Sequence, residues 1–272
     1  MNIASYIDHT ILKPTTTYIE IKKICEEALR YKFAAVCVPP PMIGKAREFL
    51  SASAGFADRS VSAGSGNHSI AGNAVSAVSV KVATVIGFPF GYSTIKAKLA
   101  EVEQAVGMAD ELDVVINLIA LRNGDWSYLE EEMQAIAEAV HGYKGLARGN
   151  ADVNGNADAH GRILKVIIES GILSDEEIIR CCEIYSRVGV DFLKTSTGYA
   201  EKGASVHAVQ LMRLHLPPSI QIKASGGIRS YTFARQLIGA GADRLGCSAS
   251  VEIVREEEGA DKDPSAATKD GY

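Results

Sequence analysis

The sequence has no paired-cysteine spacing, no basic stripe and no long apolar run, and each absence removes a class of protein. Its five cysteines (Cys25, Cys37, Cys181, Cys182, Cys247) are odd in number, scattered and never in CxxC spacing. Neither a disulfide framework nor a structural zinc site is indicated, and they read as reduced thiols. No apolar run approaches the roughly 20 residues that a spanning helix needs. The opening residues lack the basic segment followed by an apolar stretch that marks a secretory signal, so the expectation is a cytoplasmic protein with no membrane partner. The net charge is −5, but residues 252–272, with seven acidic and three basic side chains, contribute −4 of it. The remainder is nearly neutral. Without basic residues in a stripe, and with a single tryptophan and scattered tyrosines that form no stacking platform, nucleic acid is excluded as a partner.

What is present is ample material for a core. The chain has 272 residues, 47% of them hydrophobic, a length close to that of one eight-stranded α/β barrel. Short apolar, β-branched runs alternate with longer segments of helical period, the pattern of repeated βα units around a parallel sheet. The runs lie at 6–9, 34–38, 80–86, 112–117, 163–169, 191–195, 220–224 and 244–247. Three helix starts, Thr17 with Glu20, Ser127 with Glu130 and Ser174 with Glu177, fit the capping box, in which side chain and backbone satisfy each other reciprocally. Apolar faces follow each: Ile21, Ile24, Cys25, Ala28 and Leu29; Met133, Ile136, Ala137 and Val140; Ile178, Cys181, Cys182 and Tyr185. Two stretches break the rhythm. In 51–79, 19 of 29 residues are Gly, Ser or Ala, and 142–162 holds five Gly and three Asn; both read as surface loops, with His68 and His160 as solvated loop residues. The expectation is one (β/α)8 TIM barrel over 1–254 with these two insertions, and a polar, flexible tail over 255–272.

The most informative feature is lysine inside strands, because strands of a parallel barrel are buried on both faces and carry mostly Val, Ile or Leu. Lys165, Lys194 and Lys223 each interrupt such a run, and Asp113 interrupts a fourth. Burying one ammonium unpaired costs several kcal/mol. A buried ion-pair network explains one such lysine, but three converging lysines disfavour one another's charged forms, so at least one should be partly the free amine at neutral pH. A neutral lysine attacks carbonyls and forms Schiff bases, with Asp113 and a second lysine available to shuttle protons. Glycines mark a second site. Gly226 and Gly227 follow the seventh strand and Gly246, Cys247 and Ser248 the eighth, each just before a helix start, where barrels of this class frequently bind phosphate through backbone donors and helix N-termini.

Five motifs, YIDHTILKP (6–14), VIGFP (85–89), KVIIE (165–169), FLKTSTG (192–198) and KASGGIR (223–229), resemble in the same order those of the deoxyribose-phosphate aldolase family, over nearly the whole chain. The resemblance implies a class I aldolase with no metal and no cofactor that reversibly cleaves 2-deoxy-D-ribose 5-phosphate to acetaldehyde and glyceraldehyde 3-phosphate. Carried over by motif, Lys165 is the Schiff-base lysine, and Asp113 and Lys194 are the proton-relay pair. Lys223, Gly198, Gly226, Gly227, Gly246 and Ser248 serve substrate and phosphate binding. Some members end in a tyrosine that assists proton exchange at the enamine carbon, a role that would fall to Tyr272. The chain departs from the pattern in its two insertions, in Glu201, where relatives are usually uncharged, and in Ala249, where a second phosphate-binding serine is common. Open alternatives are another Schiff-base aldolase or transaldolase acting on a longer sugar phosphate, and a non-catalytic phosphosugar-binding barrel. A metal-dependent isomerase is disfavoured because the strands offer lysines where ligands should be. The oligomeric state stays open, with a homodimer as the first alternative.

Overall fold

The structure, a computed structural model, describes residues 2–57, 80–143 and 161–262. Eight parallel strands close into a barrel in chain order: β1 (Ile7–Thr10), β2 (Ala35–Val38), β3 (Lys81–Ile86), β4 (Glu111–Val115), β5 (Ile163–Ile167), β6 (Phe192–Lys194), β7 (Gln221–Ser225) and β8 (Arg244–Cys247). Helices α1 (Tyr18–Tyr31), α2 (Ile43–Ala57), α3 (Ile95–Val106), α4 (Leu118–Arg122), α5 (Trp126–His141), α6 (Asp175–Val188), α7 (Val206–His215), α8 (Tyr231–Gly239) and α9 (Ser250–Lys262) connect and follow them. The TIM barrel expected from the sequence is therefore the architecture. No helix among the described residues is long and apolar enough to cross a membrane.

The period-two alternation of each strand sorts the core into two parts. Outward residues such as Val36, Val114, Val166, Leu193 and Ile222 join the helices' apolar faces in one continuous cluster. Inward residues on β2 and β3, Ala35, Cys37, Ala83 and Val85, form a small separate one. The interior beside β4 to β8 carries buried charged side chains, among them Asp113, Lys165, Lys194 and Lys223, and that asymmetry creates the site. All five cysteines are buried and unpaired.

Two of the three capping boxes form, at Thr17–Glu20 and Ser174–Glu177. The third does not. Asp125 caps α5 by accepting from Tyr128 N, and Ser127 instead donates to Asp125, because a carboxylate two residues upstream is the stronger acceptor for the helix's free N–H groups. The segment expected as a loop from 51 begins as the last turns of α2; 58–79 and 144–160, with His68 and His160, lie outside the described residues. The expected tail from 255 begins as helix. Ile253, Val254 and Glu257 of α9 are buried, and the Glu257 carboxylate accepts the Ile3 amide at 3.2 Å.

Candidate active site

Strand pairing sets the depth of each charged side chain. Asp113 on β4 is level with Lys165 on β5. Lys194 on β6 is level with Ile167, two residues nearer the strands' C-terminal ends than Lys165, and adjoins Lys223 on β7. Lys165 is instead level with Phe192, whose ring lies 5.8 Å from its ammonium and 5.7 Å from the Arg244 guanidinium.

Asp113 is the hub. Its Oδ2 accepts from Lys194 Nζ and Lys223 Nζ, both at 2.7 Å, and its Oδ1 from Lys165 Nζ at 2.9 Å. Lys223 also donates to Asp8 on β1. Lys165 donates to Glu111 Oε2 at 2.5 Å, and Arg244 bridges Asp8 at 2.5 Å and Glu111 at 3.3 Å. Asp8, Glu111 and Arg244 were not singled out by the sequence reading. The spacing of Glu111 and Asp113, two apart and so on one face of β4, was the available signal.

Four cations thus meet three carboxylates, and the surplus charge settles unevenly. Burial and the Lys223 ammonium hold Lys194 below the ordinary lysine range, against the pull of Asp113. Lys165 goes the other way: burial works against its charge, but Asp113 and Glu111 outweigh it and push the group above that range. Lys223 is likewise raised, Asp113 and Asp8 overcoming burial. Asp113, which burial alone would neutralise, is kept well below the usual carboxylate range by Lys165, Lys194 and Lys223.

Above this network a cavity of about 510 Å³ opens at the C-terminal ends of the strands, the end that carries the active site in barrels of this type. Lys194 forms its floor, and Gly198, Gly226, Gly227, Gly246 and Ser248 line it with Thr197, Tyr199 and Arg229. Gly226 has φ +89°, and a Cβ there would stand 3.0 Å from Gly203 Cα; Gly246 lets Ser225 and the Lys223 stem approach, since a Cβ would meet them at 2.9 and 3.2 Å. Of the residues expected at the site, Lys165 does not reach the cavity. It is fully buried beneath it, with its ammonium held by two carboxylates. Neither Glu201 nor Ala249 lines the cavity, and Tyr272 lies outside the described residues.

A sequence model of the DeoC/LacD family of aldolases matches residues 2–249. The chain belongs to that family. The aldolase is 41% identical over 257 residues, 94% of each chain, to the deoxyribose-phosphate aldolase of Caldanaerobacter subterraneus subsp. tengcongensis. It is also 41% identical over 256 residues, 94% of this chain and 98% of the other, to the deoxyribose-phosphate aldolase of Caldicellulosiruptor saccharolyticus. Among solved structures it is similar to QR15, an aldolase, with a TM-score of 0.72, 30% identity, and coverage of 96% of this chain and 97% of that one. The aldolase is accordingly a carbon–carbon lyase built on a TIM barrel.

Proposed function

We propose that the aldolase cleaves 2-deoxy-D-ribose 5-phosphate to acetaldehyde and D-glyceraldehyde 3-phosphate, and runs the reverse condensation, through a Schiff base on Lys165. The observation that carries this reading is the Asp113 carboxylate, which accepts from Lys165, Lys194 and Lys223 at once beneath the cavity. Lys194, which lines the cavity and is held below the ordinary lysine range, is placed to exchange protons with Lys165 through Asp113. The roles are those read from the motifs: Lys165 is the nucleophile, and Asp113 and Lys194 form the relay.

In this reading Lys165 passes a proton through Asp113 to Lys194, the freed amine attacks the sugar's aldehyde carbon, and the proton the amine then sheds passes to the alkoxide through the same pair. The carbinolamine hydroxyl leaves as water after taking a proton from the same pair, which gives an iminium. Removal of the C3 hydroxyl proton then breaks the C2–C3 bond; its electrons enter the iminium as an enamine, and C3 departs as the aldehyde of glyceraldehyde 3-phosphate. Protonation of the enamine carbon and addition of water release acetaldehyde and restore the amine. The 5-phosphate fits the loops of Gly226–Gly227 and Gly246–Ser248, which precede the N-termini of α8 and α9. Five buried, unpaired thiols are in keeping with a reducing, cytoplasmic setting, and a homodimer is the assembly to test by light scattering.

Borohydride reduction in the presence of acetaldehyde, followed by peptide mapping, tests the assignment. The adduct is expected on Lys165. An adduct on Lys194 refutes these roles, and the absence of any adduct refutes Schiff-base chemistry.

A further inference from the structure

A buried histidine on the cavity wall has no part in this mechanism. His9 on β1 is level with Val36 on β2 and Cys247 on β8, and strand alternation turns it away from the charged interior that Asp8 enters, toward the helices. It lines the cavity while almost fully buried, with its ring tilted against Phe33 at 5.2 Å between centroids. Nε2 lies 2.9 Å from Glu27 Oε2 on α1, and Nδ1 lies 2.9 Å from Oγ of Ser250, the first residue of α9. The Ser250 hydroxyl is also 3.0 Å from Cys247 O, inside the loop of Gly246–Ser248. Burial holds the ring below the ordinary histidine range, against Glu27, Glu252 and the Cys247 backbone. A carboxylate can only accept, so the neutral ring keeps its proton on Nε2 and offers Nδ1 to the serine. Ser–His–Glu is also the order of a nucleophilic triad, but Ser250 is fully buried and does not line the cavity, so its hydroxyl holds the loop and meets no substrate.

We propose that His9 is a positioning residue for phosphate recognition, whose Nδ1 pins Ser250 and through it fixes the turn from Cys247 to Ser250 that presents backbone N–H groups to the 5-phosphate. The proposal rests on the reading that the phosphate sits at the Gly246–Ser248 loop. An anion held by backbone donors at a helix start is bound only as well as those donors point at it. Gly246 gives this loop freedom at its entry, so its shape has to be imposed by neighbours. The ring, held between Phe33 and Glu27, supplies a fixed partner on β1 for a hydroxyl that would otherwise rotate. Because Glu27 belongs to α1 and Ser250 to α9, the same ring also ties the first helix to the last beside the cavity.

Two substitutions separate the ring's two bonds. His9→Asn keeps a polar atom where Nδ1 stands and gives up Glu27, whereas His9→Gln reaches Glu27 and gives up Ser250. His9→Gln should raise KM for 2-deoxyribose 5-phosphate and lower its kcat/KM about tenfold relative to that for unphosphorylated 2-deoxyribose, the scale of a buried hydroxyl that loses a partner. His9→Asn should hold the parent's ratio of the two. Ser250→Ala, a change small enough to keep the fold if His9→Gln does not, should reproduce the loss. Adding it to His9→Gln should cost nothing more, since both remove one bond. Circular dichroism checks each fold. A ratio that stays at the parent's value in folded His9→Gln or Ser250→Ala overturns the proposal. So does an equal loss in His9→Asn, which would assign the effect to Glu27. The parent separates this from the underlying reading: no preference there for the phosphorylated sugar defeats the phosphate site without reference to His9.

Discussion

Replacing Lys165 by methionine separates a nucleophile from a supporting residue, because the two roles give opposite results in one assay. Lys165 Nζ touches Glu111 and Asp113 and lies 3.8 Å from Asp8, and its side chain is fully buried. Breaking a buried ion pair from one side costs about 3–5 kcal/mol. The network starts with four cations against three carboxylates, so losing one cation leaves it balanced, and Lys223 and Arg244 still hold Asp8, Asp113 and Glu111. The lower end of that range is expected. At about 2–4 °C of Tm per kcal/mol for a domain near this size, the transition should drop by roughly 6–12 °C. As the nucleophile, Lys165 carries the bond to substrate, so Lys165→Met should yield no borohydride-trappable adduct with acetaldehyde at any pH. A folded variant that is still trapped, on Lys194, would refute the reasoning and move the nucleophile to Lys194.

Further expectations concern phosphate, the outer core and acid. Ser248→Asp puts a negative charge on the cavity wall between β8 and α9 and should lower kcat/KM for 2-deoxyribose 5-phosphate far more than for unphosphorylated 2-deoxyribose; equal fractional losses would mean these loops shape the barrel without recognising the anion. A valine at Gly226 is a poorer test, since φ +89° and the nearby Gly203 make it a folding lesion. Lys98→Met should cost about 3–5 kcal/mol, because it leaves Glu132 charged and buried behind β4, where the pair now holds Val115 O at 2.7 Å and Asn117 N at 3.0 Å. Chemical denaturation should show much of that loss restored by adding Glu132→Leu, and a double variant no more stable than the single one would count against the desolvation argument. Asp8 and Asp113 are held below their ordinary pKa by the lysines and Arg244, burial notwithstanding. Their depressed values stabilise the fold above the unfolded carboxylate range near 4, and that contribution is lost as pH falls toward the folded-state values; a Tm that did not decline on acidification below pH 4 would contradict the network.

Much of this protein was legible without coordinates, and the reason is locality. The alternation of β-branched runs with helical periods is a property of neighbouring residues, so all eight strands were found, with ends displaced by a residue or two. The boxes at Thr17 and Ser174 formed because their partners lie three residues away. Ser127 failed for an equally local reason, since Asp125 reaches the same N–H groups first. Lysine in a buried strand likewise announced that the barrel interior was charged. How the buried lysines share their protons was beyond reach, because a pKa is set by neighbours that the chain supplies from far away: Asp113 and Glu111 from β4 and Asp8 from β1 raise Lys165, while burial and Lys223 from β7 lower Lys194. Depth was equally hidden, since only the pairing of β5 with β6 puts Lys194 two residues nearer the mouth than Lys165. The same holds for α9, which continues past 254 because Glu257 finds the amide of Ile3 at the other end of the chain. Composition and spacing determined that this chain closes a barrel around buried amines. Tertiary contact, by fixing which charges face one another in a medium that screens them poorly, decided how those amines share their protons.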